Sequence, residues 1–284
     1  MQDERCPETG PGAHLLAFSK PESRTEPGQC VECGAEYGRI TYLRPDGSVV
    51  PPDERCEMCS DRYHRAEQEK IHVLEAAQAD SEQRQLWRQQ TGLPDMFAGK
   101  TLEKFNARVQ PQAFKAISAW DGQSLILASP GLYGVGKTHL VCALAHKIMD
   151  TYQAAIRLHG SVVRLPRPVA FTTEQRLLGR IRATFNQNAT EMDEQVYLEL
   201  ERVRLLIIDD VGKSAPRDLS FLQSVWYRII DVRYTSERPV ILTTNLSPAE
   251  LETHIGGACA DRLLEMCGKQ GIIVMHGESY RGKK

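Results

Sequence analysis

The sequence predicts an α/β protein built on a parallel sheet, preceded by a small four-cysteine module and a helix. Three observations carry that prediction. From about residue 95, short apolar runs alternate with helix-forming stretches, the pattern of strands joined by crossover helices. The run GLYGVGKT, Gly131 to Thr138, has the G-x-x-x-x-G-K-[ST] spacing and stands between an apolar run and a helical one. Two Cys-x-x-Cys pairs, Cys30/Cys33 and Cys56/Cys59, stand near the N-terminus.

Residues 1–28 are rich in Pro, Glu, Gly and Ser and read as a loose tail. Residues 29–60 form the cysteine module. A two-residue gap lets both thiolates of a pair face one ion, and two such pairs 22 residues apart fit a tetrahedral Zn²⁺ site of Cys30, Cys33, Cys56 and Cys59. Four sulfur ligands leave no open position, so the site is structural, a zinc ribbon. Cys6 and His64 are possible substitute ligands. Between the pairs, Arg39–Leu43 and Ser48–Val50 read as short strands around a Pro45-Asp46-Gly47 turn. So small a unit has little core, and metal binding would supply about 10 kcal/mol of its folding free energy.

Residues 61–90 contain neither Gly nor Pro and read as a charged helix with a thin apolar stripe, ended by Thr91-Gly92-Leu93-Pro94. Residues 61–94 are thus a helical linker or docking helix, and residues 95–284 the main domain. There, Ser124–Ser129 is a strand. The glycines of the following loop let its amides converge on a phosphate at a helix N-terminus. The cradle comprises Gly131, Tyr133, Gly134, Val135, Gly136, Lys137, Thr138 and His139. Lys137 would reach the β- and γ-phosphates, and the Thr138 hydroxyl would bind Mg²⁺. Leu140, Leu144, Ile148 and Tyr152 give the next helix one apolar face. Residues 153–168 read as an irregular basic insert and Val169–Thr173 as a strand. Glu174–Phe185 reads as a helix with Leu177, Leu178, Ile181 and Phe185 inward. Cys142, Cys259 and Cys267 read as buried small hydrophobes.

Leu205–Asp210, LLIIDD, is an apolar strand ending in two carboxylates. Beside a phosphate loop, Asp209 would hold the Mg²⁺ shell and Asp210 would polarise the attacking water. The alternative is a helix-capping pair. Val240–Asn245 is another apolar strand, and its terminal Asn245 could position the same water. The guanine-reading N-K-x-D element of small GTPases is absent. A net charge of −2 announces no general nucleic-acid field. No apolar run approaches a membrane span, and MQDERCPETG lacks a signal-peptide pattern, so a cytoplasmic protein without membrane contact is expected.

The motifs GLYGVGKTHL, LLIIDDVG, IIDVRYTSERPVILTTNLS and ADRLLEMC resemble, in order and spacing, the DnaC/DnaI/IstB-like branch of the AAA+ ATPases over roughly residues 100–281. The resemblance implies a three-layer sandwich and an ATPase using ATP and Mg²⁺. It implies a bacterial or phage helicase loader that self-assembles into an open ring or spiral and places a replicative hexameric helicase on single-stranded DNA. Through its cysteines alone, the N-terminal module is similar to the zinc-binding, helicase-docking region of DnaI-type loaders. Within the family, Asn245 matches sensor 1, Arg262 the arginine finger and Arg281 the sensor 2 arginine, with Ala258 where a further arginine is often found. Arg176, Arg180, Arg182, Lys213 and Arg217 are candidate single-stranded DNA contacts. An IstB-type transposition helper, or a zinc-module DNA-binding adaptor whose assembly ATP switches, are the alternatives.

Overall fold

The computed structural model describes residues 23–44, 46–186, 188–213 and 218–280. The chain divides into two compact units, residues 1–74 and 75–284.

In the first unit, β1 (Ser23–Gln29), β2 (Glu36–Leu43) and β3 (Val49–Val50) form an antiparallel sheet in the order β1-β2-β3. The two strands expected between the cysteine pairs fall in β2 and β3. Strand β1 begins inside the stretch expected to be a loose tail. It lacks apolar alternation and forms by backbone pairing along β2, with Pro27 tolerated because β1 is an edge. Residues 1–22, Cys6 included, lie outside the described residues. Among the described residues of this unit only Cys30 and Cys59 are buried.

Helix α1 (Glu57–Gln90) starts inside the second cysteine pair, earlier than expected. Its residues from Glu75 onward belong to the second unit, which therefore begins well before residue 95. Trp87 is fully buried with Met149 and Ala154. Asp80 Oδ1 accepts from the Ala154 amide at 2.5 Å and the Ala155 amide at 3.1 Å. Arg84 donates to the carbonyls of Met149 and Asp150, at 2.5 and 2.6 Å, and so caps the C-terminus of α3 (Lys137–Thr151).

The second unit carries a parallel sheet in which β4 (Leu125–Ala128), β7 (Val169–Thr173), β8 (Leu205–Val211), β9 (Val240–Thr244) and β10 (Ile272–Val274) are arranged β10-β4-β9-β8-β7. Strand alternation sorts two cores onto its faces. Leu125, Leu127, Val169, Phe171, Leu205, Ile207 and Ile241 pack with α2 (Pro111–Ser118) and α3. Ile126, Ala128, Ala170, Leu206, Ile208, Val240 and Leu242 pack with α4 (Glu174–Ala183), α5 (Asp193–Arg202), α6 (Leu219–Thr235), α7 (Pro248–Ile255) and α8 (Gly257–Cys267). This is the expected three-layer α/β sandwich.

Three local expectations are corrected. The insert at residues 153–168 is not irregular. It contains the antiparallel hairpin β5 (Ala155–Leu158) and β6 (Ser161–Arg164), turned by His159 and Gly160, both at positive φ (49° and 82°), as a two-residue primed turn demands. Helix α4 ends at Ala183, which leaves Phe185 65% exposed rather than inward, its ring edge-on to Phe221 at 6.0 Å. Helix α5, absent from the sequence reading, buries Val196, Tyr197 and Leu200. Cys142, Cys259 and Cys267 are buried small hydrophobes as expected, and burial pushes the thiols of Cys259 and Cys267 up to about 12.

Candidate nucleotide and metal sites

The glycine loop joins the end of β4 to α3. Gly131, Gly134 and Gly136 have φ of 67°, 72° and 103°, left-handed conformations that side chains resist. At Gly136 a Cβ would also stand 2.8 Å from the Phe105 ring, so this position excludes a side chain twice over. The loop is wired to β9: the Ser129 amide donates to Thr244 O at 3.0 Å, and the Gly131 amide to Asn245 O at 3.1 Å.

Lys137 is only 6% exposed. Its Nζ donates to Ser129 Oγ and, at 2.5 Å, to Asn245 Oδ1. Thr138 Oγ1 donates to the Asp209 carboxylate, 3.0 and 3.1 Å from its two oxygens, and Thr243 Oγ1 donates to the same carboxylate at 2.6 Å. Asp209 is buried at the tip of β8. Burial raises its carboxyl above the usual carboxylate range, against the lowering effect of the Thr243 and Thr138 hydroxyls. A buried carboxylate held by hydroxyls beside an anion loop has the hard-oxygen chemistry that Mg²⁺ prefers.

A cavity of about 380 Å³ opens over the loop. Tyr133, Gly134, Val135, Gly136, Lys137, Thr138, His139, Asp210 and Asn245, all expected at the site, line it. Lys213, expected on DNA, lines it too and pairs with the Asp210 carboxylate. His139 is also held from the side of the flanking segment. Its Nε2 lies 3.1 Å from Thr101 O, its ring is edge-on to Phe105, and burial lowers its pKa. Met96, Phe97, Lys100, Lys104 and Phe105, from a segment that follows no recognisable motif, also line the cavity.

Arg262, on α8, does not line this cavity. Its Nη2 lies 3.1 Å from Asp231 Oδ1, and its guanidinium stands over the Tyr227 ring at 4.9 Å. Its buried Nη1 has no hydrogen-bond partner among the described residues. The arginines expected on DNA have different partners. Arg180 is forked between Glu191 and Glu199, because α5 brings Glu199 across from α4. Arg176 donates to Gly92 O at 3.1 Å, and Arg182 stacks over Phe221 at 5.0 Å. Arg217 and Arg281 lie outside the described residues.

In the first unit, the sulfurs of Cys30, Cys33, Cys56 and Cys59 all lie within 4.8 Å of one another. The amides of Cys33 and Cys56 lower the Cys30 thiol to about 6, while burial pushes Cys59 up to about 12. A tetrahedral site with Zn–S bonds of about 2.3 Å needs sulfurs roughly 3.8 Å apart. Cys33 and Cys56 are 3.7 Å apart, so the cluster is compatible with zinc. His64 is exposed and is not part of the cluster.

A glycine loop at the head of α3, beside an acid-tipped interior strand of the sheet, defines a P-loop nucleotide-binding protein. The family model described as IstB-like ATP binding protein matches residues 56–284, and the chain belongs to that family. Its members are AAA+ ATP-binding proteins, and the chain is an ATPase. It is 23% identical over 221 residues to the replicative helicase loader DnaC of Escherichia coli strain K12, covering 74% of this chain and 82% of that one. It is 30% identical over 198 residues to the insertion sequence IS21 putative ATP-binding protein of Pseudomonas aeruginosa, covering 65% of each. The crystal structure of the DnaC helicase loader aligns with a TM-score of 0.49 at 20% identity, over 64% of this chain and all of that one. Among the described residues, no helix is long and apolar enough to cross a membrane.

Proposed function

We propose that the chain is an ATP-dependent helicase loader that places a replicative hexameric helicase on single-stranded DNA at the start of replication, in the cytoplasm. The observation that carries this reading is the match to a replicative helicase loader over 82% of that protein's length. In this reading the loop amides hold the β-phosphate, and Lys137 turns from Ser129 and Asn245 toward the γ-phosphate. Thr138 and Asp209 would hold Mg²⁺, which supplies charge neutralisation on the phosphates. Asp210 and Asn245 orient the attacking water. Zn²⁺ on the four cysteines has a structural part, and Arg176 and Arg182, both exposed, remain candidates for DNA contact.

Arg262 would act on the site of a neighbouring protomer, which makes ring or spiral assembly part of catalysis. Its place outside its own chain's nucleotide cavity supports this. Arg262→Ala is expected to bind ATP within twofold of the parent and to lose turnover by about 10³-fold, the scale of an arginine finger. Steady-state phosphate release checks it; full turnover would mean that no site is shared between protomers.

The 30% identity to an IS21 ATP-binding protein favours a second reading, a transposition helper ATPase. The two separate in one experiment. The chain, ATP, a replicative hexameric helicase and circular single-stranded DNA are mixed and passed over a sizing column. Helicase that co-elutes with the circle only when both the chain and ATP are present supports loading. No association with helicase, together with ATP-dependent binding to duplex DNA, supports the transposition reading and overturns the first.

A further inference from the structure

Glu174 opens α4, a position where acids ordinarily sit in water near the helix dipole. Here the residue is 1% exposed. Its Oε2 accepts from the Gly212 amide at 3.0 Å. Its Oε1 accepts from Trp226 Nε1 at 2.9 Å and lies 2.8 Å from His254 Nε2. One buried carboxylate thus gathers donors from the turn after β8, from α6 and from α7.

The turn it holds leads directly out of the two-acid tip. Ile208 stands opposite Leu242, and Val211 opposite Thr244, so β8 spends three steps where β9 spends two. The extra residue is a bulge at Asp209–Asp210, and bulges re-aim side chains. Asp210 has φ of 57°, a left-handed conformation that costs about 1–3 kcal/mol and persists only when its surroundings enforce it. Those surroundings are visible on both sides. From β9, Thr243 Oγ1 accepts the Asp210 amide at 3.0 Å, and Thr244 Oγ1 donates to Val211 O at 2.9 Å. Beyond the bulge, Gly212 is at φ 87°, with Leu246 occupying the space a Cβ would need and Glu174 holding its amide.

We infer that Glu174 is a positioning residue for hydrolysis: by holding the Gly212 amide it locks the β8 bulge that aims the Asp210 carboxylate at the γ-phosphate. The inference rests on the proposed role of Asp210 as the group that orients water. It assigns to Glu174 no contact with nucleotide, so its loss is felt in turnover and not in binding.

The test uses the full chain. Glu174→Ala removes all three hydrogen bonds and is expected to keep ATP affinity within twofold while turnover of bound ATP falls at least tenfold. Leu251→Ala, a core truncation on α7, sets what destabilisation alone does; it is expected to lower the unfolding midpoint but keep turnover within twofold. If Glu174→Ala does not fold, Glu174→Leu, which fills the site but cannot accept the Gly212 amide, is read by the same two measurements. Turnover within twofold of the parent, or affinity and turnover falling together, overturns the inference. So does a turnover loss that Leu251→Ala reproduces at equal destabilisation. Asp210→Asn separates the two layers. Parent-like hydrolysis in that variant sinks the reading of Asp210, whereas an inactive Asp210→Asn beside an active Glu174→Ala sinks only the role of Glu174.

Discussion

Lys137→Ala is expected to abolish ATP binding while leaving the fold intact. The ammonium is buried and held by Ser129 Oγ and Asn245 Oδ1, two neutral oxygens at the mouth of the loop. Phosphate oxygens are stronger acceptors for it, since hydrogen bonds involving charged groups contribute about 1.5–3 kcal/mol each. Two such bonds, to the β- and γ-phosphates, amount to roughly 3–6 kcal/mol, or about two to four orders of magnitude in affinity. The substitution stands at the first position of α3, where alanine is the best helix former, so the helix itself should not suffer. The Asn245 and Ser129 side chains would lose a donor but keep their mutual 3.1 Å contact. Calorimetric titration of ATP into the folded variant checks the expectation. Parent-like affinity would remove the loop from the nucleotide site and, with it, the roles assigned to Thr138 and Asp209.

The part of the site that was legible in the sequence is the part that chemistry compresses into short motifs. A phosphate needs converging amides, a lysine and a hydroxyl within eight residues, and Gly131–Thr138 provides them in one run. Strand ends such as Asp209 and Asn245 were readable because an apolar run that stops at a polar residue marks the carboxyl edge of a buried strand. What was hidden depends on partners distant in sequence. Glu174 looks like any acid at a helix start until Gly212, Trp226 and His254 close around it. Arg180 has the spacing of a cationic face, and only the fold shows Glu191 and Glu199 neutralising it.

Elements held by distant or polar partners escape the sequence for the same cause. The end of α1 reads as a linker or docking helix because Trp87 is its one large buried apolar anchor and the others are polar: Asp80 caps two amides and Arg84 caps a helix, and neither adds to an apolar stripe. The hairpin β5–β6 turns on His159-Gly160 rather than on the Asn-Gly or Asp-Gly pair that signals such turns, and its arginines disguise the alternation. Strand β1 carries a proline and a glycine, residues that argue against a strand; only its edge position and its ladder with β2 make it one.

Removing zinc is expected to unfold the N-terminal unit and leave the ATPase unit standing. The described residues of the first unit form no hydrophobic core in the ordinary sense. Among its described residues the only buried side chains are Cys30 and Cys59, two of the four proposed ligands, while Val31, Ile40, Tyr42 and Val49 are exposed. Its polar contacts, such as Arg55 with Glu32 at 2.7 Å, are surface pairs of at most about 1 kcal/mol. A structural zinc supplies on the order of 10 kcal/mol, so the metal dominates every other contribution within this unit. The second unit has two extended cores and no cysteine in the cluster, so its stability does not depend on that ion. One zinc per chain is therefore expected by metal analysis, and none in the Cys30→Ser, Cys56→Ser double variant. Proteolysis of that variant, or of the chelated parent, should cut within residues 23–60, while ATP affinity stays within twofold. Stoichiometric zinc in the double variant would reject the ligand set. A protease-resistant module without metal would show that the strand ladder alone can hold it.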